Sequence, residues 1–304
     1  MKAEPKENAT KGPLVWLDMD QKALDDAYDQ VVWAANREHI AERRRLASER
    51  TIARNGAPER ASYGPTEIEK LDIYKTKRAN APVMIFIHGG AWKGGTAKDS
   101  AYMSEMYLAA GANFVIPDFV WVQNAGGSLM TMADQVRRAV AWVYKNAASF
   151  GGDPNRLYVS GHSSGGHLGG CVVITDWQKD FGLPADIVKG ALLISGMYDL
   201  KAVRLSKRSK YVNFDDATEE ALSAQRHIDK INMPLVVAHG TLETPEFQRQ
   251  SREFAAAVKA AGKPIEFFVG EGFNHFEIQE TMANPFGLVG RPALQMMKLK
   301  VGDI

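Results

Sequence analysis

The sequence predicts an α/β fold with a mostly parallel central sheet flanked by helices. Three observations carry that prediction. Beyond about residue 63 short apolar runs alternate with helix-period segments, the order that lays strands side by side with crossover helices. Several of the runs are nearly unbroken in apolar residues, as expected for strands covered on both faces. The chain holds 304 residues, 45% of them hydrophobic, ample for one large core.

Residues 18 to about 50 read as helix, with Leu24, Tyr28, Val31 and Ala35 at helical spacing. Glu42-Arg43-Arg44-Arg45 has no apolar stripe and reads as a solvated helix face, ahead of a nucleic-acid patch. Asn55-Gly56-Ala57-Pro58 and Tyr63-Gly64-Pro65 break the chain, dividing an N-terminal helical extension (1–62) from a catalytic domain (63–304). Strands are expected at Ile68–Tyr74, Val83–His88, Asn113–Pro117, Leu157–Gly161, Gly190–Ser195, Pro234–His239 and Ile265–Gly270. The first alternates polar and apolar residues, which suits an antiparallel edge. Helices are expected at 99–110, 129–149, 164–175, 218–225 and 246–261.

Composition narrows the function. The net charge is +1, which gives no reason to invoke nucleic acid or an anionic membrane. The single cysteine, Cys171, excludes an internal disulfide and fits a reducing compartment. The N-terminal Met1–Asn8 is polar, without the apolar core of a signal peptide. No apolar run is long enough to span a bilayer. The expected location is the cytoplasm. No spacing suggests a metal site, and no cofactor is called for. A homo-oligomer is left open.

Chemistry collects at the carboxyl ends of the strands, where open α/β sheets place their sites. Tyr158-Val159-Ser160-Gly161-His162-Ser163-Ser164-Gly165-Gly166-His167 is a strand running into a Gly-x-Ser-x-Gly turn and a helix, the context that the nucleophile elbow of an α/β-hydrolase requires. Ser163 is the expected nucleophile. His88-Gly89-Gly90-Ala91-Trp92 follows the Val83 strand and supplies backbone N–H groups for an oxyanion hole from Gly89 and Gly90, joined by Ser164. A phosphate loop fails, because Lys93-Gly94-Gly95-Thr96 lacks the Gly-Lys-Ser/Thr order. His88 reads as structural. His275, in the loop after the last strand, is the best general base of the seven histidines. His162 and His167 suit packing or orienting roles, His239 precedes the acid loop, and His39 and His227 have no chemical context. Glu243, in the loop after Pro234–His239, fits the chain order Ser, acid, His. Asp199 is its rival, and Glu246 belongs to the start of a helix.

Together these pieces resemble the kynurenine formamidase (arylformamidase) branch of the α/β-hydrolases, close to esterases of the hormone-sensitive-lipase type. Gly151-Gly152-Asp153-Pro154-Asn155-Arg156 is common to both groups. Gly161–Leu168, Ser195–Leu200, Thr244–Ser251 and Asn274–Ile278 look more like the formamidases. The resemblance runs from about Tyr63 to the C-terminus and implies a Ser163–His275–Glu243 triad. One departure is the acid, where many members carry aspartate. It also implies a small lid from the N-terminal helices and a small-molecule amide or ester substrate, an aryl formamide such as N-formylkynurenine or else a short-chain ester. A non-catalytic binding protein on the same scaffold is the remaining class, and every motif it would have lost is present. Trp92, Phe119, Trp121, Tyr198 and Phe273 lie near strand ends and are expected to line an aromatic pocket.

Overall fold

A computed structural model describes residues 12–300. The polar stretch Met1–Asn8 lies outside the described residues. The strands are β1 (Leu14–Trp16), β2 (Met19–Asp20), β3 (Glu59–Ser62), β4 (Lys70–Tyr74), β5 (Ala81–Ile87), β6 (Asn113–Pro117), β7 (Gly152–His162), β8 (Val188–Ile194), β9 (Leu235–Gly240) and β10 (Ile265–Gly270). The helices are α1 (Gln21–Ala27), α2 (Gln30–Trp33), α3 (Arg37–Asn55), α4 (Ser104–Ala109), α5 (Leu129–Asn146), α6 (Ser164–Val173), α7 (Trp177–Phe181), α8 (Leu200–Leu205), α9 (Asp216–Leu222), α10 (Pro245–Ala260), α11 (Glu277–Glu280) and α12 (Gly290–Met296).

Eight strands form one sheet in the order β10-β9-β8-β7-β5-β6-β4-β3. From β10 to β6 neighbouring strands are parallel, and β4 and β3 run antiparallel. The alternation of β5 divides the core between the sheet faces. Val83, Ile85 and Ile87 join one buried cluster, and Met84 and Phe86 the other. All seven expected strands are present, and the sheet is the mostly parallel one expected.

The sheet departs from expectation at its edge. β4 is antiparallel, but β3 covers it, so β4 is not the edge strand. The expected boundary at residue 63 therefore falls after the sheet has begun. β3 reads Glu-Arg-Ala-Ser and is largely exposed, so no apolar alternation marks it. What holds it is charge. Arg60 sits opposite Asp72 in the register, pairs with it, and reaches Asp118 at 2.6 Å. Both carboxylates are buried.

The N-terminal helix is three helices rather than one. Asp20 and Asp29 accept the backbone N–H groups of Ala23 and Val31 and so cap α1 and α2, and the chain leaves the helical conformation at Ala34 before α3 begins at Arg37. α3 ends at Asn55, with Gly56 at φ 85°, a left-handed exit suited to glycine. The expected helix at 99–110 opens as a 3₁₀ turn over Ala97–Met103, where Thr96 and Asp99 form a reciprocal cap. Among the described residues no helix is long and apolar enough to cross a membrane.

Removing Arg60 leaves two buried carboxylates without their cation. Arg60→Met should cost about 2 kcal/mol or more, discounted because the arginine itself is part-exposed. Denaturant unfolding measures it; a loss under about 0.5 kcal/mol would mean that β3 is held otherwise.

Candidate active site

β7 delivers Ser163 at its carboxyl end, and α6 starts at the next residue. Ser163 has φ 60° and ψ −125°, a strained conformation costing about 1–3 kcal/mol. Its backbone is over-determined: its N–H donates to Ile194 O at 3.0 Å, and its carbonyl accepts from His167 N at 3.1 Å. The flanking glycines are steric necessities. A Cβ on Gly161 would lie 2.2 Å from Gly165 O, and one on Gly165 only 2.0 Å from Ile87 O. α6 thus packs backbone-to-backbone against the end of β5.

The loop after β5 lies against this turn. A Cβ on Gly89 would stand 3.2 Å from Ser163 Cβ. Among the described residues the N–H groups of Gly89 and Gly90 are used in no loop or turn hydrogen bond, and neither is that of Ser164. The Ser164 hydroxyl has a use that the sequence did not indicate: it accepts from Trp92 N–H at 3.2 Å, joining loop to elbow.

Three strand ends bring the remaining groups to Ser163. His275 Nε2 lies 2.8 Å from Ser163 Oγ. Its Nδ1 lies 2.7 Å from Glu243 Oε2. A carboxylate only accepts, so Nδ1 carries the hydrogen and Nε2 is left to take the serine proton. The other glutamate oxygen accepts from Ser195 Oγ and from Gly240 N, each at 2.6 Å. Ser195 follows β8 with φ 50°; sequence reasoning noted it only within a motif.

Burial raises the pKa of Glu243, opposed by its hydrogen bonds from Ser195 and Gly240. Burial also pushes His275 well below the ordinary imidazole range, and the charges of Arg208 and Arg44 push the same way. His275 is therefore neutral, the state in which Nε2 accepts a proton.

The rival acids are elsewhere. Asp199 caps α8 through Lys201 N and pairs with Arg226 at 3.1 Å. Glu246 sits in the first turn of α10, as expected, held by Arg249 at 2.7 Å and Tyr28 Oη at 2.8 Å. His162 is an orienting neighbour, its Nε2 2.7 Å from the His275 carbonyl oxygen. His167 receives the Trp92 indole N–H at 3.2 Å.

Ser163 and His275 open onto a cleft of about 1030 Å³. The five expected pocket aromatics do not line it. Trp92 is buried against His167. Phe119 lies behind His88, stacked at 4.3 Å. Trp121 donates to Gly95 O at 3.0 Å. Tyr198 donates to Leu193 O and stacks on Phe254 at 4.2 Å. Phe273 packs into the core beside Gly240 and Gly270. Four of these five side chains turn sideways into the two cores, and Trp121 turns to the loop after β5. The aromatic rings of the cleft are instead Tyr28, Tyr211 and Phe276, two of them from outside the strand ends. Much of the wall comes from the N-terminal section, including Arg37, Ala41 and Arg44.

The chain is similar to several known proteins. The family model BD-FAE matches residues 71–258. A Danio rerio protein named kynurenine formamidase is 31% identical over 246 residues, covering 77% of this chain and 80% of the relative. Esterase LipC of Mycobacterium tuberculosis is 29% identical over 234 residues, covering 67% of this chain and 55% of its own. The solved structure of a thermophilic esterase from Thermogutta terrifontis superposes with a TM-score of 0.66 at 21% identity, covering 81% of this chain and 95% of that one. With a family model spanning most of the sheet and a relative above 30% identity, the chain belongs to the BD-FAE family and is a hydrolytic enzyme of the α/β-hydrolase fold, in the group that holds formamidases and hormone-sensitive-lipase-type esterases.

Proposed function

We propose that the protein is a cofactor-independent serine hydrolase that cleaves small-acyl amides or esters by a Ser163–His275–Glu243 triad, with aryl formamides such as N-formylkynurenine as its preferred substrates. The observation that carries this reading is the unbroken relay from Ser163 Oγ through both imidazole nitrogens to Glu243. The 31% identity to a protein named kynurenine formamidase supports the formamide preference. A short-chain carboxylesterase is the second reading, favoured by the likeness to esterase LipC.

In the proposed mechanism Ser163 Oγ attacks the carbonyl carbon while its proton passes to His275 Nε2. The N–H groups of Gly89, Gly90 and Ser164 receive the oxyanion. The tetrahedral adduct collapses, the carbon–nitrogen or carbon–oxygen bond breaks, and His275 returns the proton to the leaving amine or alcohol. Water then attacks the acyl-enzyme, giving a proton to His275 that passes to Ser163 as the acid is released. Glu243 holds the productive tautomer and stabilises the transient imidazolium. Residues 12–55 serve as the small lid over the cleft.

N-formylkynurenine assayed beside p-nitrophenyl acetate and butyrate tests the substrate. We expect formamide cleavage with a kcat/KM above that of the butyrate; preference for butyrate with no formamide cleavage selects the esterase reading. Ser163→Ala should lower kcat by about 10⁴-fold or more, and retained turnover would end the mechanism. Glu243→Gln should cost on the order of 10³-fold or more, whereas Asp199→Asn should stay within about threefold of the parent; the reverse pattern would make Asp199 the acid. The base is active when neutral and its pKa is lowered, so activity persists to lower pH than an ordinary histidine allows. The acid limb of kcat/KM should fall below the ordinary imidazole value of about 6.5; a midpoint at or above it would contradict the assigned environment.

A further inference from the structure

The cleft is lined by more unmet positive charge than the chain as a whole carries. Its net charge is only +1, and the carboxylates lining the cleft are already engaged. Asp29 is held by Lys207, Glu38 by Arg37 at 2.8 Å and Glu42 by Arg45 at 2.7 Å. Asp99 is held by the N–H and hydroxyl of Thr96, each at 2.9 Å. The cations are not so matched. Among the described residues Arg44, Lys93, Arg208 and Lys210 line the cleft and pair with no carboxylate. Arg44 donates to the neutral Gln279 and lies over Phe276, and Lys93 lies over Tyr211.

Arg208 is the telling member. It is only 4% exposed yet borders the same cleft as Ser163. Its guanidinium stacks over Trp92 at 5.1 Å and Tyr28 at 5.8 Å, which fixes its plane. Among the described residues its Nη atoms donate only to neutral oxygens, Tyr211 Oη at 3.2 Å and Tyr28 O at 3.3 Å. Its Nε is buried with no hydrogen-bond partner. Asp29 lies within electrostatic range of Arg208 but is held by Lys207, so the guanidinium is buried with no carboxylate in direct contact, which costs free energy, and its rigid fork matches a carboxylate.

We propose that the cleft selects substrates bearing a carboxylate and that Arg208 is the residue that pairs with it. The inference rests on the hydrolase reading above. That reading makes the acyl group small, so the carboxylate belongs to the leaving-group half of the substrate. Arg44, Lys93 and Lys210 add a long-range field that attracts the anion.

The test uses 4-acetoxybenzoate and its methyl ester, which differ by one methyl group and the charge it removes, with release of 4-hydroxybenzoate or its methyl ester as the readout of acetyl transfer. In Ser163→Ala protein, calorimetry should show the acid binding on the order of tenfold tighter than the ester, with the difference shrinking as salt rises. In the parent enzyme kcat/KM should favour the acid similarly, and Arg208→Met should collapse the acid-to-ester ratio by about tenfold or more, with Arg208→Lys restoring part of it. Equal binding of acid and ester, or an unchanged ratio in Arg208→Met, would overturn the proposal. Where Arg208→Met does not fold, the comparison of acid and ester in Ser163→Ala protein decides alone. If the parent cleaves neither these compounds nor N-formylkynurenine while the Ser163→Ala protein still prefers the acid, the hydrolase reading fails and the anion subsite stands.

Discussion

The structure at the carboxyl end of the sheet depends on one buried carboxylate. Glu243 is 1% exposed, and a carboxylate so placed is tolerable only if its oxygens are satisfied. They are satisfied by groups from three strand ends: Ser195 after β8, Gly240 ending β9 and His275 after β10. The requirement runs both ways. The carboxylate needs those donors, and the donors are brought together only because β8, β9 and β10 are adjacent and parallel. The extra methylene of glutamate matters here: Glu243 reaches back to the Gly240 N–H while still meeting the imidazole.

The N-terminal section is tied into this arrangement rather than laid over it. Asn274, next to His275, accepts from Phe276 and Glu277 N–H groups and donates to Asn36 at 2.8 Å. Asn36 in turn donates to Glu277 at 2.8 Å. Tyr28 links Glu246 and Gln250 of α10, each at 2.8 Å. Gln250 then accepts from the N–H groups of Tyr198 and Asp199. The loop carrying His275 and the start of α10 are therefore braced by residues far away in the chain. The N-terminal section thus shares hydrogen bonds with the loop that carries His275.

What could be read from the sequence follows from which constraints are local. The parallel strands announce themselves because both faces are buried, and the elbow because its steric limits force glycine at fixed offsets. Ser163, His275 and Glu243 meet because each lies at a strand end whose position the alternation fixes. β3 was not legible: three of its four residues are polar, and it is held by the ion pair of Arg60 with Asp72 and Asp118, a tertiary fact. The cleft walls were not legible either. Proximity to a strand end says nothing about which way a ring turns, and Trp92, Phe119 and Tyr198 all turn inward. The rings that do face the cleft are placed by α1, by the segment after α8 and by the His275 loop. Tyr28 carried helical periodicity, and Phe276 stood beside the base; neither signal specifies an open cavity.

The same arginine connects substrate selection to the reactivity of the base. Arg208 contributes to lowering the pKa of His275, second only to burial, because a neighbouring cation disfavours a second positive charge. A carboxylate docked on Arg208 would offset that charge and return the imidazole toward its ordinary basicity. His275 would then be a weak base in the empty cleft and a stronger one once an anionic substrate is seated. Binding energy gathered away from the reacting carbonyl would thus appear in the proton transfer itself, where it accelerates the reaction instead of only tightening the complex. An uncompensated buried cation, costly to the resting fold, has in this arrangement a functional reason to persist.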